Sequence, residues 1–284
     1  MQYRIFATLL LAIVLPATFA RSAETIVTVG GAATEIVYAL GAGDRVVGRD
    51  LSSVYPPESQ DLPEVGYVRG ISAEGVLALE PGLIVATHEL GPPNVAAQLK
   101  GSGVGLLTLP EIDGLESLAK AIELTGEQLE HTEEAATLIA AIRADFEEVR
   151  TFAVKPRVLL FMMSPGSRSL RAAGLDTKAD AIIKLAGGVN AADDFRGYKT
   201  LAREAVILLQ PDVILIAEAE TADLGDNAAV KRFLQDPAYQ STPAVREKRV
   251  HSVPLSRTLG FGPRLGQSVR ELNDYFAAGV PNAE

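Results

Sequence analysis

Apolar positions along this chain follow two alternating patterns, short runs of branched residues and longer stretches with helical spacing. "LIVA" at 83–86 and "VILI" at 213–216 are continuous apolar runs of the kind that form strands buried on both faces of a parallel sheet. Each follows a proline, Pro81 or Pro211. Each proline closes a helical pattern that carries a glutamate seven residues earlier, Glu74 or Glu204. The helix must stop near the proline, because the residue ahead of it is sterically excluded from the helical region.

A second matched pair precedes the first. "TVGGAATEIVYALGAGDRVVG" from Thr28 and "AAGLDTKADAIIKLAGGVN" from Ala172 both read as turn, helix and glycine stop. Their helix starts are marked by Thr34 and by Asp176 or Thr177, their stops by Gly41 and by Gly187–Gly188. This repeated order predicts an α/β fold of two Rossmann-like lobes with mostly parallel sheets, residues 24–126 and 155–284. Between them, 127–152 contains no Pro and no Gly, and Leu129, Ala136, Ile139, Ile142, Phe146 and Val149 recur at helical spacing. The pattern predicts one long rigid helix bridging 127–154, a strut of roughly 39 Å rather than a flexible hinge. Lys155–Pro156 ends it, and "RVLLFMM" opens the second lobe as a strand.

Composition adds a compartment. The 284 residues are 48% hydrophobic and 22% charged, enough for two globular domains that need neither metal nor disulfide to hold together. Residues 1–23 stand apart: a basic start and the apolar run "IFATLLLAIVLPATFA" read as a signal peptide, cut after Ala20 or Ala23. The competing reading is a membrane anchor, but Pro16 interrupts the run, which is short for a bilayer span. The absence of cysteine removes disulfides, thiolate metal sites and the usual site of a lipid anchor. We therefore expect a soluble periplasmic protein, a monomer without a lipid anchor. A net charge of −10 and a pI near 4.9 argue against nucleic acid as a partner.

Most candidate chemistry is thin. His88, His131 and His251 are scattered, no Ser/His/Asp set stands out, and "TVGGAAT" is neither a dinucleotide fingerprint nor a P-loop. The expectation is a protein that is not an enzyme. Glu74 and Glu204 each sit near a helix N-terminus, where capping and the helix dipole account for either one alone. Capping does not account for matched positions on two lobes, which would suit a partner with two basic sockets. "GYVRG" sets Tyr67 and Arg69 two residues apart among turn-forming residues. One reading is a tyrosine packed on the sheet edge beside a solvated arginine. The other is a phenol serving as an anionic ligand to a ferric ion. A free phenol ionises near pH 10, but a neighbouring guanidinium and the metal's charge both favour phenolate. Tyrosine is one of the axial ligands found on haem iron.

"VGYVRGISAEGVLALEPGLIVAT", "KADAIIKLAGGVNAADDFRGYKTLAREAVILLQPDVIL" and "LGFGPR" together resemble the periplasmic haem-binding proteins of bacterial haem ABC importers, over nearly the whole chain from Glu24. The Glu-to-Pro repeat alone marks the wider superfamily, which includes cobalamin and siderophore binders. The resemblance implies two lobes bridged by a helix with haem b carried in the cleft between them. It implies Tyr67 as axial ligand to the haem iron, Arg69 as phenolate or propionate partner, and Glu74 and Glu204 as docking residues for the inner-membrane permease. Some members carry a histidine where this chain has Ser164, Pro165 and Ser167, so a His-ligated second haem is not expected. That leaves water, Met162 or Met163 for the far face, with Ser164 a further cleft contact, and Arg168, Arg171, Arg257 and Arg264 as candidates to pair with propionates. The rival readings are the same architecture holding cobalamin or a ferric siderophore, an exported α/β hydrolase or transferase, and a structural envelope protein.

Overall fold

The computed structural model describes residues 25–163, 169–219 and 228–278. The signal-peptide segment lies outside the described residues. The first lobe runs β1 (Ile26–Val29), α1 (Gly31–Ala39), β2 (Val46–Arg49), α2 (Ala73–Leu77), β3 (Leu83–Ala86), α3 (Pro93–Gly101) and β4 (Gly105–Thr108). Its four strands are all parallel, in the order β2-β1-β3-β4. Helices α4 (Leu115–Leu129) and α5 (Thr132–Glu147) follow.

The second lobe contains β5 (Arg157–Met163), β6 (Leu170–Ala173), α6 (Lys178–Leu185), β7 (Val189–Asn190), β8 (Tyr198–Lys199), α7 (Arg203–Leu209), β9 (Val213–Glu218), α8 (Ala228–Gln235), α9 (Pro243–Arg246), β10 (Val250–Pro254), α10 (Leu255–Leu259) and α11 (Leu265–Ala277). Its sheet runs β10-β9-β5-β6-β8, with β7 also on β5, and only the two pairings of β6 are antiparallel. The apolar runs behave as their composition demands: β1, β3 and β9 are buried along their whole length.

The internal repeat extends to backbone detail. Helices α2 and α7 each bury one valine, Val76 or Val206. Both then exit through a residue with positive φ just before proline, Glu80 (φ 47°) and Gln210 (φ 43°). One local expectation needs correction, and another is settled between its alternatives. Helix α1 starts at Gly31, not Thr34, because Thr34 is buried and bonds to Thr28 Oγ1 at 2.8 Å and Ser53 Oγ at 2.6 Å. In the second lobe Thr177 is the cap, its Oγ1 accepting from the Asp180 amide at 3.0 Å.

The single helix expected over 127–154 is instead two helices. Glu130 adopts the left-handed conformation (φ 63°, ψ 32°), and the His131 amide turns back to the Gly126 carbonyl at 2.8 Å. This is a Schellman-type stop made without glycine at the left-handed position. What permits it lies just ahead of the expected span: a Cβ on Gly126 would sit 2.6 Å from the Ala135 Cβ and 3.0 Å from the His131 carbonyl. The bare glycine lets α5 fold tightly against α4. The bridge is therefore α5 alone, 16 residues or about 24 Å.

Rigidity comes from packing rather than helix length. One apolar cluster joins Ile36, Leu118 and Ile122 of the first lobe to Ile139 and Ile142 of α5, and to Leu265, Val269 and Phe276 of α11. Arg270 clips the seam, reaching Asp145 at 2.7 Å and Glu148 at 2.9 Å. Each sheet covers its other face with a cluster of its own.

Candidate functional site

Ligand sites of open parallel α/β sheets lie beyond the C-terminal ends of the strands. In the first lobe the loops leaving β1, β2 and β3 meet there, and Asp50 ties the first two together. Its fully buried carboxylate accepts from the Gly30 amide at 2.8 Å, the Ser52 amide at 3.0 Å, the Ser52 and Ser53 hydroxyls at 2.7 Å, and the Val68 amide at 3.2 Å. Five donors satisfy a charge that burial would otherwise make costly. The 66–70 segment is pinned further by the Leu51 amide on the Gly66 carbonyl, the Gly91 amide on the Val68 carbonyl, and a tight turn from Gly70 to the Tyr67 carbonyl at 2.7 Å. Val65 and Val68 plug into the core, which leaves Tyr67 and Arg69 directed outward.

Tyr67 is 44% exposed, so it does not serve as core volume. Its hydroxyl accepts from Arg69 Nη1 at 2.8 Å, and Arg69 Nη2 donates to Glu89, which lies just past the end of β3. Exposed Leu51 and Tyr55 come from the adjoining loop and add apolar surface on the same lobe. The hydrogen bond to Glu89 pushes the Arg69 guanidinium pKa up, while burial opposes it. Burial pushes the Glu89 carboxyl up, but the Arg69 hydrogen bond and the charges of Lys178, Arg69 and His88 outweigh it and leave the pKa below the usual value. The second lobe answers with Lys178 and Tyr198. Burial lowers the Lys178 ammonium, and the charges of Glu89, Arg69 and Glu111 all reach it. Burial raises the Tyr198 phenol, against a Thr177 hydrogen bond and the charges of Arg171 and Arg69. Arg69 and Glu89 of the first lobe thus lie within electrostatic reach of Lys178 and Tyr198 of the second, with Tyr67 held beside them by Arg69.

The remaining sequence-predicted residues divide sharply. Arg264 forks onto Glu35 of α1 through bonds of 2.7 and 2.9 Å and stacks 3.7 Å from the Tyr55 ring centroid, joining the lobes. Arg257 pairs with Glu271. These two of the four arginines expected as propionate partners are therefore paired with internal carboxylates, which their positions in the sequence could not reveal. Arg171 donates to the Tyr198 carbonyl and lies 5.9 Å from that ring centroid, at the edge of the gap. Met162 and Met163 are half-buried at the end of β5, Met163 against the second-lobe core. Ser164 and Arg168 lie outside the described residues. Glu74 and Glu204 are exposed in the first turns of α2 and α7, and neither side chain has an ion pair or hydrogen bond among the described residues.

Sequence reasoning missed Glu89, Lys178, Tyr198 and Asp50. Glu89 was open to the strand-end rule, since it follows "LIVAT", and Lys178 stands inside the quoted "TKADAIIKL". Among the described residues no three His, Asp or Glu side chains gather as a metal site. A groove of about 580 Å³ between α4 and α5 is lined by Glu123, Glu127, Arg143 and Glu147.

Three comparisons place the chain among known proteins. Periplasmic heme-binding protein BhuT, solved with two hemes, is 35% identical with a TM-score of 0.78, covering 89% of this chain and 97% of its own. An uncharacterized ABC transporter substrate-binding lipoprotein of Bacillus subtilis, YvrC, is 28% identical over 262 residues, 90% of this chain and 80% of the relative. A vitamin B12-binding protein of Yersinia pestis is 26% identical over 203 residues, 71% of this chain and 72% of the relative. Residues 26–255 match the periplasmic binding protein family. With its two α/β lobes, its bridging helix and a polar cluster between strand ends, the chain belongs to the periplasmic binding protein family of ABC importers.

Proposed function

We propose that this protein carries haem across the periplasm, holding the iron through the Tyr67 phenolate in the gap between the lobes. The observation that carries the reading is the outward Tyr67 hydroxyl with Arg69 donating to it at 2.8 Å and Glu89 holding Arg69 in place. A guanidinium fixed on a phenol oxygen stabilises the anion that a ferric ion needs, and the Asp50 network holds the loop in position without help from the ligand. Arg69 is spent on Tyr67 and Glu89, which favours its role as phenolate partner over propionate partner. Likeness to a heme-binding protein at 35% identity supports the choice of ligand. The macrocycle's apolar area would supply most of the affinity, and the Fe–O bond would supply orientation.

Delivery follows through Glu74 and Glu204, whose matched exposure suits two basic sockets on a membrane permease. The protein acts as a binder rather than an enzyme, as a monomer free in the periplasm. None of its 284 residues is a cysteine that could carry a lipid, which supports that reading. No described helix is long and apolar enough to cross a membrane.

Hemin titration followed by absorbance tests the reading. The parent should give a Soret shift and a charge-transfer band that Tyr67→Ala loses along with affinity. Equal hemin binding by Tyr67→Ala would remove the ligand assignment. Glu74→Ala combined with Glu204→Ala should abolish uptake while leaving hemin binding intact. The second reading, a cobalamin or siderophore carrier, rests on the vitamin B12-binding relative and predicts cobalamin or ferric siderophore binding that ignores Tyr67.

A further inference from the structure

The cations around the gap are unequally occupied. Arg69 is bonded to Tyr67 and Glu89, Arg171 to the Tyr198 carbonyl, Arg257 to Glu271 and Arg264 to Glu35. Lys178 differs. Its ammonium has no hydrogen bond or ion pair among the described residues, and it lies 5.5 Å from the ring centroid of Phe261. Phe261 is fully buried, so the ammonium at the start of α6 lies over a fixed ring, a cation–π contact that supplies no hydrogen-bond acceptor.

The surroundings state what the ammonium lacks. Burial disfavours its charge, Arg69 adds repulsion, and Glu89 and Glu111 offer only through-space attraction. Glu89 is already turned to Arg69. A half-buried ammonium without a hydrogen-bonded acceptor loses hydration that nothing replaces, and an anionic group on a ligand entering the gap would supply the acceptor. The two nearby glutamates disfavour a multiply charged anion, which leaves a monoanionic carboxylate.

We propose that Lys178 binds a carboxylate of the cargo and so selects tetrapyrroles that carry free acid side chains over their esters. This rests on the haem reading above. Tyr67 then grips the metal from the first lobe while Lys178 grips the periphery from the second, so both lobes must be in place for full affinity. Specificity for the acid and ligation of the iron become separable properties of one site.

The test compares hemin with hemin dimethyl ester, which keeps the iron and macrocycle but has no carboxylate. The parent should bind hemin at least tenfold more tightly than the ester, the scale of one charge-assisted bond. Lys178→Gln should lose about that tenfold on hemin, lose nothing on the ester, and keep the parent's Soret and charge-transfer bands. Lys178→Arg should keep the discrimination, and it covers the case in which Lys178→Gln fails to fold. Equal affinity of the parent for acid and ester would overturn the assignment, as would equal losses on both ligands or loss of discrimination in Lys178→Arg. Tyr67-dependent bands that persist alongside any of those results would leave the haem reading standing. A parent that binds neither compound would bring down both readings.

Discussion

Arg264 offers a quantitative test of what holds the lobes at their observed spacing. Arg264→Met preserves much of the side-chain length but removes the guanidinium. Glu35, with a side chain only 7% exposed, then loses two charge-assisted hydrogen bonds of 2.7 and 2.9 Å. The stack on Tyr55 at 3.7 Å goes as well. Removing one partner from a buried pair costs about 3–5 kcal/mol. Because the Arg264 side chain is 16% exposed, water relieves part of this, and we expect about 2–4 kcal/mol. For a chain of this size that lowers the melting midpoint by roughly 5–15 °C. Circular dichroism melts of the parent, both single variants and the double variant Glu35→Met with Arg264→Met provide the assay. The double variant should recover at least half of the loss, because the carboxylate that paired with the guanidinium has gone with it. A single variant melting with the parent, or a double variant melting below both singles, would refute the argument.

Other expectations follow from the same contacts. Asp50→Ala strands five donors and should cost about 3 kcal/mol or more in urea unfolding, and any folded fraction should bind hemin with an altered charge-transfer band, since the Val68 amide loses its anchor. Gly126→Ala should cost about 1–3 kcal/mol, because the new methyl would meet Ala135 where α5 turns onto α4, whereas Gly114→Ala, with open space around it, should cost far less in the same measurement. His251 is stacked on Tyr275 with a centroid distance of 4.2 Å, and its Nε2 has no hydrogen-bond partner among the described residues. Burial, reinforced by Arg249, holds its imidazole below the ordinary pKa of 6.5. The unfolded chain therefore takes up a proton more readily, so this contribution to stability is full above about pH 6.5 and is lost as pH falls below it. His251→Phe should flatten that part of the acid-side slope of urea stability. The Tyr275 phenol, raised to about 12 by burial and by its bond to Glu271, should stay un-ionised in an ultraviolet titration that ionises exposed tyrosines.

Much of this protein was legible before any coordinates. The Glu-to-Pro repeats marked α2 with β3 and α7 with β9, because a proline after a helical pattern and before a branched apolar run has few backbone solutions. Tyr67 and Arg69 were readable as a pair set among turn-forming residues, but whether the ring packed on the sheet edge or turned outward waited on Val65 and Val68 filling the core. The bridge was misjudged for a local reason. Glutamate is a good helix former, and nothing in "EQLEHTEEA" announces that residue 130 will turn left-handed. The stop depends on the close approach of α5 to Gly126, a contact made only once both helices exist.

The chain's own order of residues determined the two lobes, the strand cores and the phenol–guanidinium pair, because each depends on neighbours within a few positions or on a simple period. Which cations were already occupied was decided in three dimensions: Glu35 and Arg264 are 229 residues apart, and Arg69 and Glu89 are 20. Ion pairs depend on distance in space rather than along the chain, so the arginines that looked available were paired, and the lysine that looked ordinary was left facing the gap.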